Sequence, residues 1–515
     1  MRRIAVLEFG TSCPRRGEPT GRWSRAHRLN WSKPMSRRVV YTVMASRVQA
    51  RDVLLSVDRA RPASLGRQIE EQLREAIREG TLAMGSPLPS TRVLAEDLAV
   101  SRGVIVRAYG MLAAEGYIEL RQGAPPCVRR IPVGPAPDEE RRQEPKLRFD
   151  LRPHVPDISL FPRHAWLSSH RRALLDARDA ELGYIETPGV ERLRVELANY
   201  LGRARGVVAD PDRIVITAGS THSLSLISRA LAQAGAEEIG LEIPSHEYWH
   251  GVVERAGLRP VGIPVDRHGL VVDRIGTTQL GAVMTAPAHQ FPTGSALAGP
   301  RRTALLEWAV ENDGVIIEDE YDAEFRYDRP PMRALQARAP EHTIYLGSTS
   351  KTLAPGIRLG WAVMPRHLLQ AVTEELSLSV LQISTFEQLA FADFLHRGEF
   401  DRHLRTMRAR YRRRRDVLLE ALHAHLPGRH VTGIAAGLHV VLELEPYEAA
   451  KGICLLAQAY GIAVEPLDRH CLPGYDGPSG LLIGYGGIAE PAIPHAISEL
   501  ARVLEAARSS TSVAA

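Results

Sequence analysis

Residues 318–360 read EDEYDAEFRYDRPPMRALQARAPEHTIYLGSTSKTLAPGIRLG, and the placement of their polar groups decides the fold. The stretch follows WAVENDGVII, where a helical pattern gives way to the apolar run Val315 to Ile317, which reads as a buried strand. Asp319 and Tyr321 stand at the end of that strand. A second short strand, Thr343 to Leu346, runs into the small-residue turn Gly347-Ser348-Thr349-Ser350 and then Lys351. Arg358 comes seven residues later, just ahead of Leu359-Gly360.

Each group suits pyridoxal phosphate. The Lys351 amine can form a Schiff base with the aldehyde, and the Asp319 carboxylate, facing the ring nitrogen, would keep it protonated. The Tyr321 phenol can hydrogen-bond the ring 3-oxygen. The hydroxyls of Ser348 and Ser350 and the Arg358 fork suit the phosphate. A lysine in a Ser/Thr turn is, by itself, usually a solvated loop residue. The ordered set is far more specific. It resembles fold-type-I aminotransferases, and EDEYDAEFRYD together with APAHQFPTG (residues 286–294) is similar to one branch of them, the MocR subfamily of GntR-type transcription regulators. That resemblance implies an α/β domain with a mostly parallel sheet, Lys351 as the cofactor-bearing residue, and a DNA-binding domain upstream.

Bulk composition agrees with a large globular chain. At 515 residues there is length for one large domain and a small one, and 44% apolar with 24% charged residues is the balance of a soluble protein. No run approaches the ~18 apolar residues of a membrane helix, and Ile4-Ala5-Val6-Leu7, cut by Glu8, is too short for a signal peptide. Cys13, Cys127, Cys454 and Cys471 lack metal-ligand spacing, so neither a zinc site nor structural disulfides are expected, and the cytoplasm is the default compartment. The net charge of +5 is unevenly divided. Residues 1–50 carry 11 Lys/Arg against 2 Asp/Glu, residues 51–134 carry 12 against 10, and the remainder carries 42 against 48. The basicity belongs to the N-terminal end.

Residues 1–52, rich in Arg, Ser and Pro and without periodicity, read as a disordered basic tail able to add non-specific attraction to DNA. An over-long start, with Met35 or Met44 as the true first residue, fits equally well. Residues 53–130 form the next domain. SLGRQIEEQLREAIREG puts Leu65, Ile69, Leu73 and Ile77 on one helical face, and Gly80 stops the helix. Ser90 caps a short helix through Leu98, Ser101 caps a second from Arg102 to Glu115, and a hairpin from Tyr117 returns to Val128. Three helices and a hairpin make a winged helix-turn-helix, although a short helical hairpin in a core fits the spacing as well. LPSTRVLAEDLAVSRGVIVRAYGMLAAEGY resembles the GntR-family DNA-binding domain, and double-stranded DNA is then the partner. The resemblance implies contacts to phosphates or base edges from Thr91, Arg92, Ser101, Arg102, Gly103 and Arg107, with Arg121 and Gln122 in the wing. Where the family reads Gly-Ser-Gly-Thr at the wing tip, this chain has Ala124-Pro125-Pro126-Cys127, and proline removes amide donors.

The Pro-rich, charged residues 131–146 form a semi-rigid linker, and the aminotransferase-like domain spans 147–510. Within LGYIETPGVERLRVELANYL, the resemblance assigns Tyr184 to the cofactor phosphate of the neighbouring subunit, which implies a homodimer; a buried core tyrosine is the alternative on residue type. RIVITAGSTHSLSLISRALAQAG reads strand, turn, helix, so Gly219, Ser220 and Thr221 offer amides at a helix N-terminus, where a phosphate is favoured. In EIPSHEYWHG, His246 stands where the family stacks an aromatic ring on the pyridine, with Tyr248 two residues on; a surface loop of mixed aromatics fits too. Phe291 replaces the asparagine that in working aminotransferases hydrogen-bonds the ring oxygen. The basic run from Arg402 to Arg415 reads as a solvated helical face. Beyond about residue 425, alternating strand and helix patterns give the small C-terminal subdomain.

In GLLIGYGGIAEPAIPHAI, Leu482 occupies the place of the arginine that forks onto a substrate α-carboxylate. A leucine offers no bidentate charged bonds. Arg163, Arg326 or His439 could substitute from elsewhere. The expectation is a cytoplasmic, pyridoxal-phosphate-dependent transcription regulator that senses the cofactor or a small amine or amino-acid effector, with at most weak transamination. A working aminotransferase with a fused DNA-binding domain is the alternative.

Overall fold

A computed structural model describes residues 55–129, 147–185, 188–276, 280–330, 332–380, 382–446, 448–471 and 479–512. The expected basic tail and linker lie outside the described residues. The rest falls into two compact units on either side of residues 141 and 142.

In the first unit, the helices Leu65–Arg78, Thr91–Asp97 and Arg102–Ala114 are followed by an antiparallel hairpin pairing Ile118 with Val128 and Glu119 with Cys127. The helix starts follow from chemistry local to the chain. Ser64 and Ser90 each accept the backbone N–H three residues on, while Ser101 caps by backbone conformation only, its hydroxyl making no capping bond. Gly80 and Gly116 end helices at φ +75° and +80°, a region costly for other residues. Ile69, Leu73, Leu94, Ile105, Tyr109, Leu112 and Ile118 form the core. Leu65 is only half-buried, whereas Ile69, Leu73 and Ile77 face inward as the periodicity predicts.

The second unit is built on an eight-stranded sheet in the order Ile214–Thr217, Gly360–Val363, Thr343–Ser348, Val315–Asp319, Ala282–Thr285, Glu238–Ile243, Arg259–Asp266, Gly269–Leu270. Only Gly360–Val363 and the edge strand Gly269–Leu270 run antiparallel to their neighbours. The central strands are buried on both faces and read as continuous apolar runs, as parallel strands must. The two predicted strands run longer than their apolar cores, because Asp319 and Ser348 continue the ladders. That extension sets both side chains at carboxyl ends of neighbouring strands, where open α/β sheets bind ligands.

The C-terminal part adds a four-stranded antiparallel sheet, Val431–Thr432, His439–Glu443, Gly480–Gly484 and Glu465–Pro466, packed with the long helices Glu399–His425 and Ile493–Ser512. The run of arginines on the first of these helices is not wholly solvated. Arg414 is buried in an ion pair with Asp157, and Arg408 donates to the Glu324 carbonyl at 2.9 Å. Among the described residues, no helix is long and apolar enough to cross a membrane.

Candidate functional site

One cavity of the second unit is lined by ten of the residues assigned to the cofactor from the sequence, Gly219, Ser220, Thr221, His246, Asp319, Tyr321, Ser348, Ser350, Lys351 and Arg358, and by Phe291 as well. The carboxyl ends of four strands, Ile214–Thr217, Glu238–Ile243, Val315–Asp319 and Thr343–Ser348, bring them together with Arg358, which stands just ahead of Gly360–Val363. The strand Ile214–Thr217 turns at Gly219, φ +114°, into the helix Ser220–Gln233, which no side chain caps. Its first-turn amides therefore have no partner within the helix. The next strand must begin with glycine too. A Cβ on the neighbouring Gly360 would lie 2.7 Å from the Gly219 Cα, so the two backbones touch. The Arg358 guanidinium sits over the same turn, within 3.9 Å of where a Gly219 Cβ would be.

The lysine turn is held internally. The Ser350 amide donates to Ser348 Oγ at 3.0 Å, and Thr349 donates from both amide and hydroxyl to the Leu359 carbonyl at 3.0 Å. Lys351 Nζ donates to the His154 carbonyl at 2.9 Å. Burial pulls its amine down to about 8 against the opposing pull of Asp322, Asp319 and Glu465. Asp319 is buried, and its Oδ1 has no hydrogen-bond partner among the described residues. Burial, with Asp322 and Glu242 nearby, pushes its carboxyl up to about 7. Glu242 is itself raised to about 7 by burial, while accepting from Thr285 Oγ1 at 2.6 Å.

Tyr321 is half-buried, and its hydroxyl lies 3.0 Å from His289 Nδ1, which in turn lies 2.9 Å from Asp322 Oδ2. His246 is half-buried and faces Trp249 in a stacked arrangement at 6.3 Å. Burial lowers it to about 4, so it is neutral at pH 7. Tyr184 does not line the cavity; it is 85% exposed, which removes the buried-core alternative.

Phe291 and Leu482, the two departures from the working-enzyme pattern, meet. Both are buried in one small apolar cluster with Val441 and Leu467, against which Tyr321 packs. The possible substitutes for the missing arginine are otherwise engaged. Arg326 is paired with Asp328, and His439 Nε2 contacts the Pro292 carbonyl at 2.9 Å and is pushed down to about 3 by burial. Arg163 is exposed, donates to the Ser159 carbonyl at 3.1 Å, and lines a neighbouring cavity that shares His154 and Lys351. Sequence reading missed His154, Trp249 and Pro355 in the lining and the His289–Asp322 pair behind Tyr321.

In the first unit, Ser101, Arg102, Gly103, Arg107, Arg121 and Gln122 are exposed, as is Arg92, while Thr91 is half-buried. Thr91 and Arg102 touch, Arg102 Nε donating to Thr91 Oγ1 at 3.4 Å. With Val106 and Met111 also exposed, the Arg102–Ala114 helix presents one open face that is basic at its N-terminal half. The wing differs. Arg121 forks onto Glu119 at 3.1 and 3.2 Å, so its charge is already matched within the hairpin.

Comparison with known proteins separates the two units in the same way. The family described as bacterial regulatory proteins, gntR family, matches residues 65–128, and aminotransferase class I and II matches residues 159–475. The HTH-type pyridoxine biosynthesis transcriptional regulator PdxR of Corynebacterium glutamicum is 31% identical over 87% of this chain and 98% of its own. The probable rhizopine catabolism regulatory protein MocR of Rhizobium meliloti is 29% identical over 89% of this chain and 97% of its own. Among solved structures, an archaeal alanine:glyoxylate aminotransferase superposes with a TM-score of 0.65 at 27% identity, covering 70% of this chain and 91% of that one. The kynurenine aminotransferase of Pyrococcus horikoshii gives 0.64 at 26%, covering 70% and 91%.

Proposed function

The chain belongs to the MocR subfamily of GntR-type transcription regulators, and from that premise we propose that its aminotransferase-like unit takes pyridoxal phosphate at Lys351 and uses it to control DNA binding. The observation that carries the cofactor reading is the unpartnered, buried Asp319 Oδ1 in the cavity that Lys351 also lines. A buried carboxylate oxygen without a donor is costly, and the protonated ring nitrogen of pyridoxal phosphate is the donor it lacks. The phosphate end fits as well. The uncapped helix at Ser220, the glycine contact that lets the turn approach closely, and Arg358 surround a space suited to a dianion.

When bound, the group supplies an aldehyde that bonds covalently to an amine and a ring that withdraws electrons. The residues do the rest. An amine lowered to about 8 leaves Lys351 roughly one-tenth neutral at pH 7, hence nucleophilic without a separate base. Asp319 would keep the ring nitrogen protonated, and the Tyr321 hydroxyl, which rests 3.0 Å from His289 Nδ1, would hydrogen-bond the ring oxygen. Tyr184, exposed on the same unit as the apolar Leu167, Leu174 and Phe386, supports a homodimer in which each Tyr184 reaches the partner's phosphate site.

The DNA-reading domain is assigned to 53–130 and the sensing domain to 147–510, in the compartment that holds the DNA, the cytoplasm. Thr91, Arg92, Ser101, Arg102, Gly103 and Arg107 carry the DNA contact, with Gln122 in the wing; Arg121 must first leave Glu119. The effector, cofactor or amine, acts by binding two states of the protein unequally. The apolar Phe291–Leu482 cluster weighs against efficient turnover of α-amino acids and for sensing. The test is spectroscopic. Wild-type protein with pyridoxal phosphate is expected to show the absorption band of a lysine-bound cofactor, and Lys351→Ala is expected to lose it. An unchanged band in that variant would overturn the assignment.

A further inference from the structure

The surroundings of Phe291 say what kind of second ligand the cavity accepts. Its ring is packed edge-on against His439 at 5.3 Å, His470 at 4.9 Å and His154 at 6.1 Å, and lies 5.8 Å from His246. Burial lowers His154, His246 and His439, so these imidazoles are neutral at pH 7. The acid of the group, Glu465, stands 3.5 Å from His470 and 4.0 Å from His154, and pairs in register with Leu482. The region around the missing arginine is thus apolar to slightly negative.

The cations that line the cavity, among the described residues, are Lys351 and Arg358. Both are committed if the cofactor reading holds, one to the aldehyde and one to the phosphate. A carboxylate brought against Phe291 and Leu482 would lose its water and gain no cation. An uncharged body loses nothing and gains Phe291 and Trp249 as walls.

We propose that the effector of this cavity is a primary amine with an apolar alkyl or aryl body and no carboxylate, and that Phe291, backed by Leu482, is the residue that selects it. The inference rests on the reading that Lys351 holds pyridoxal phosphate. It goes further by excluding the α-amino acids that the fold otherwise handles.

A matched pair tests it: phenethylamine against L- and D-phenylalanine, which differ from it by the carboxylate alone. Full-length protein loaded with pyridoxal phosphate is titrated with each, read by calorimetry and by affinity for a DNA fragment that the protein selects from genomic DNA. Phenethylamine is expected to bind at least about tenfold more tightly, the factor that one unmatched charged group is worth. It is also expected to shift DNA affinity at concentrations where phenylalanine does not. Leu482→Arg is expected to narrow or reverse the preference; because that site is fully buried, Phe291→Asn serves as a second variant with the same expected direction. Equal affinity for amine and amino acid, or tighter binding of phenylalanine, overturns the proposal and points to Arg163 or a partner subunit as the carboxylate's host. Failure of every compound to bind while the Lys351 band is present also overturns it, leaving the cofactor reading standing. Absence of the band removes the reading itself.

Discussion

Asp319→Asn is expected to make the cofactor-free protein more stable and the cofactor-loaded protein much less so. The carboxyl is 5% exposed, has one oxygen without a partner, and is pushed from an ordinary 3.8 up to about 7. An acid whose folded pKa is raised contributes least where it is ionised. Its native state is at full strength below about pH 4, weakens as pH climbs, and reaches its lowest contribution above about 7. Asparagine has the same shape and no charge, so the gap between variant and wild type is expected to widen by about 2–3 kcal/mol from pH 5 to pH 8. In thermal unfolding of the large unit that is roughly 3 °C of Tm. Added pyridoxal phosphate is then expected to raise the wild-type Tm and to do little for the variant, whose amide cannot hold the ring nitrogen protonated. A variant less stable than wild type at pH 8, or a gap that does not change with pH, would refute the view that Asp319 is held unsatisfied for a ligand.

Gly360→Ala is expected to displace the turn at Gly219, since the new Cβ would stand 2.7 Å from the Gly219 Cα and 3.0 Å from the Gly347 carbonyl oxygen. Its signature is a reduced preference for pyridoxal phosphate over pyridoxal by about tenfold or more; an unchanged ratio would separate this turn from phosphate binding. Arg102→Ala and Arg107→Ala are expected to weaken binding to duplex DNA, each lowering the salt slope by about one if it meets a phosphate. Wild-type affinity in the double variant would exclude the Arg102–Ala114 helix as the reader.

Much of this arrangement was legible because its signals are local. A polar residue ending an apolar run marks a strand end, so Asp319 and the Ser348–Lys351 turn could be placed before their contacts were known. Ser90, Gly80 and Gly116 mark helix ends by the geometry of a few consecutive residues. The contacts that were not legible join distant segments. His154 offers Lys351 a backbone carbonyl, which no side-chain pattern announces. Phe291 and Leu482 each stood out as a departure, but their packing in one cluster depends on the C-terminal sheet meeting the loop after Ala282–Thr285. Tyr321 was read for its ligand and not for its resting partner, His289. Arg121 and Glu119 were the exception. Glu119 closes the first strand of the hairpin and Arg121 stands only two residues on, so their pairing could have been anticipated.

The most direct test of the account compares the affinity of full-length wild type and Lys351→Ala for one selected DNA fragment, each with and without saturating pyridoxal phosphate. Coupling between two sites in one protein amounts to about 5- to 150-fold in affinity. A shift in that range is predicted for the wild type and none for the variant. Equal DNA affinity of the loaded and cofactor-free wild-type protein, or an equal shift in Lys351→Ala, would contradict it.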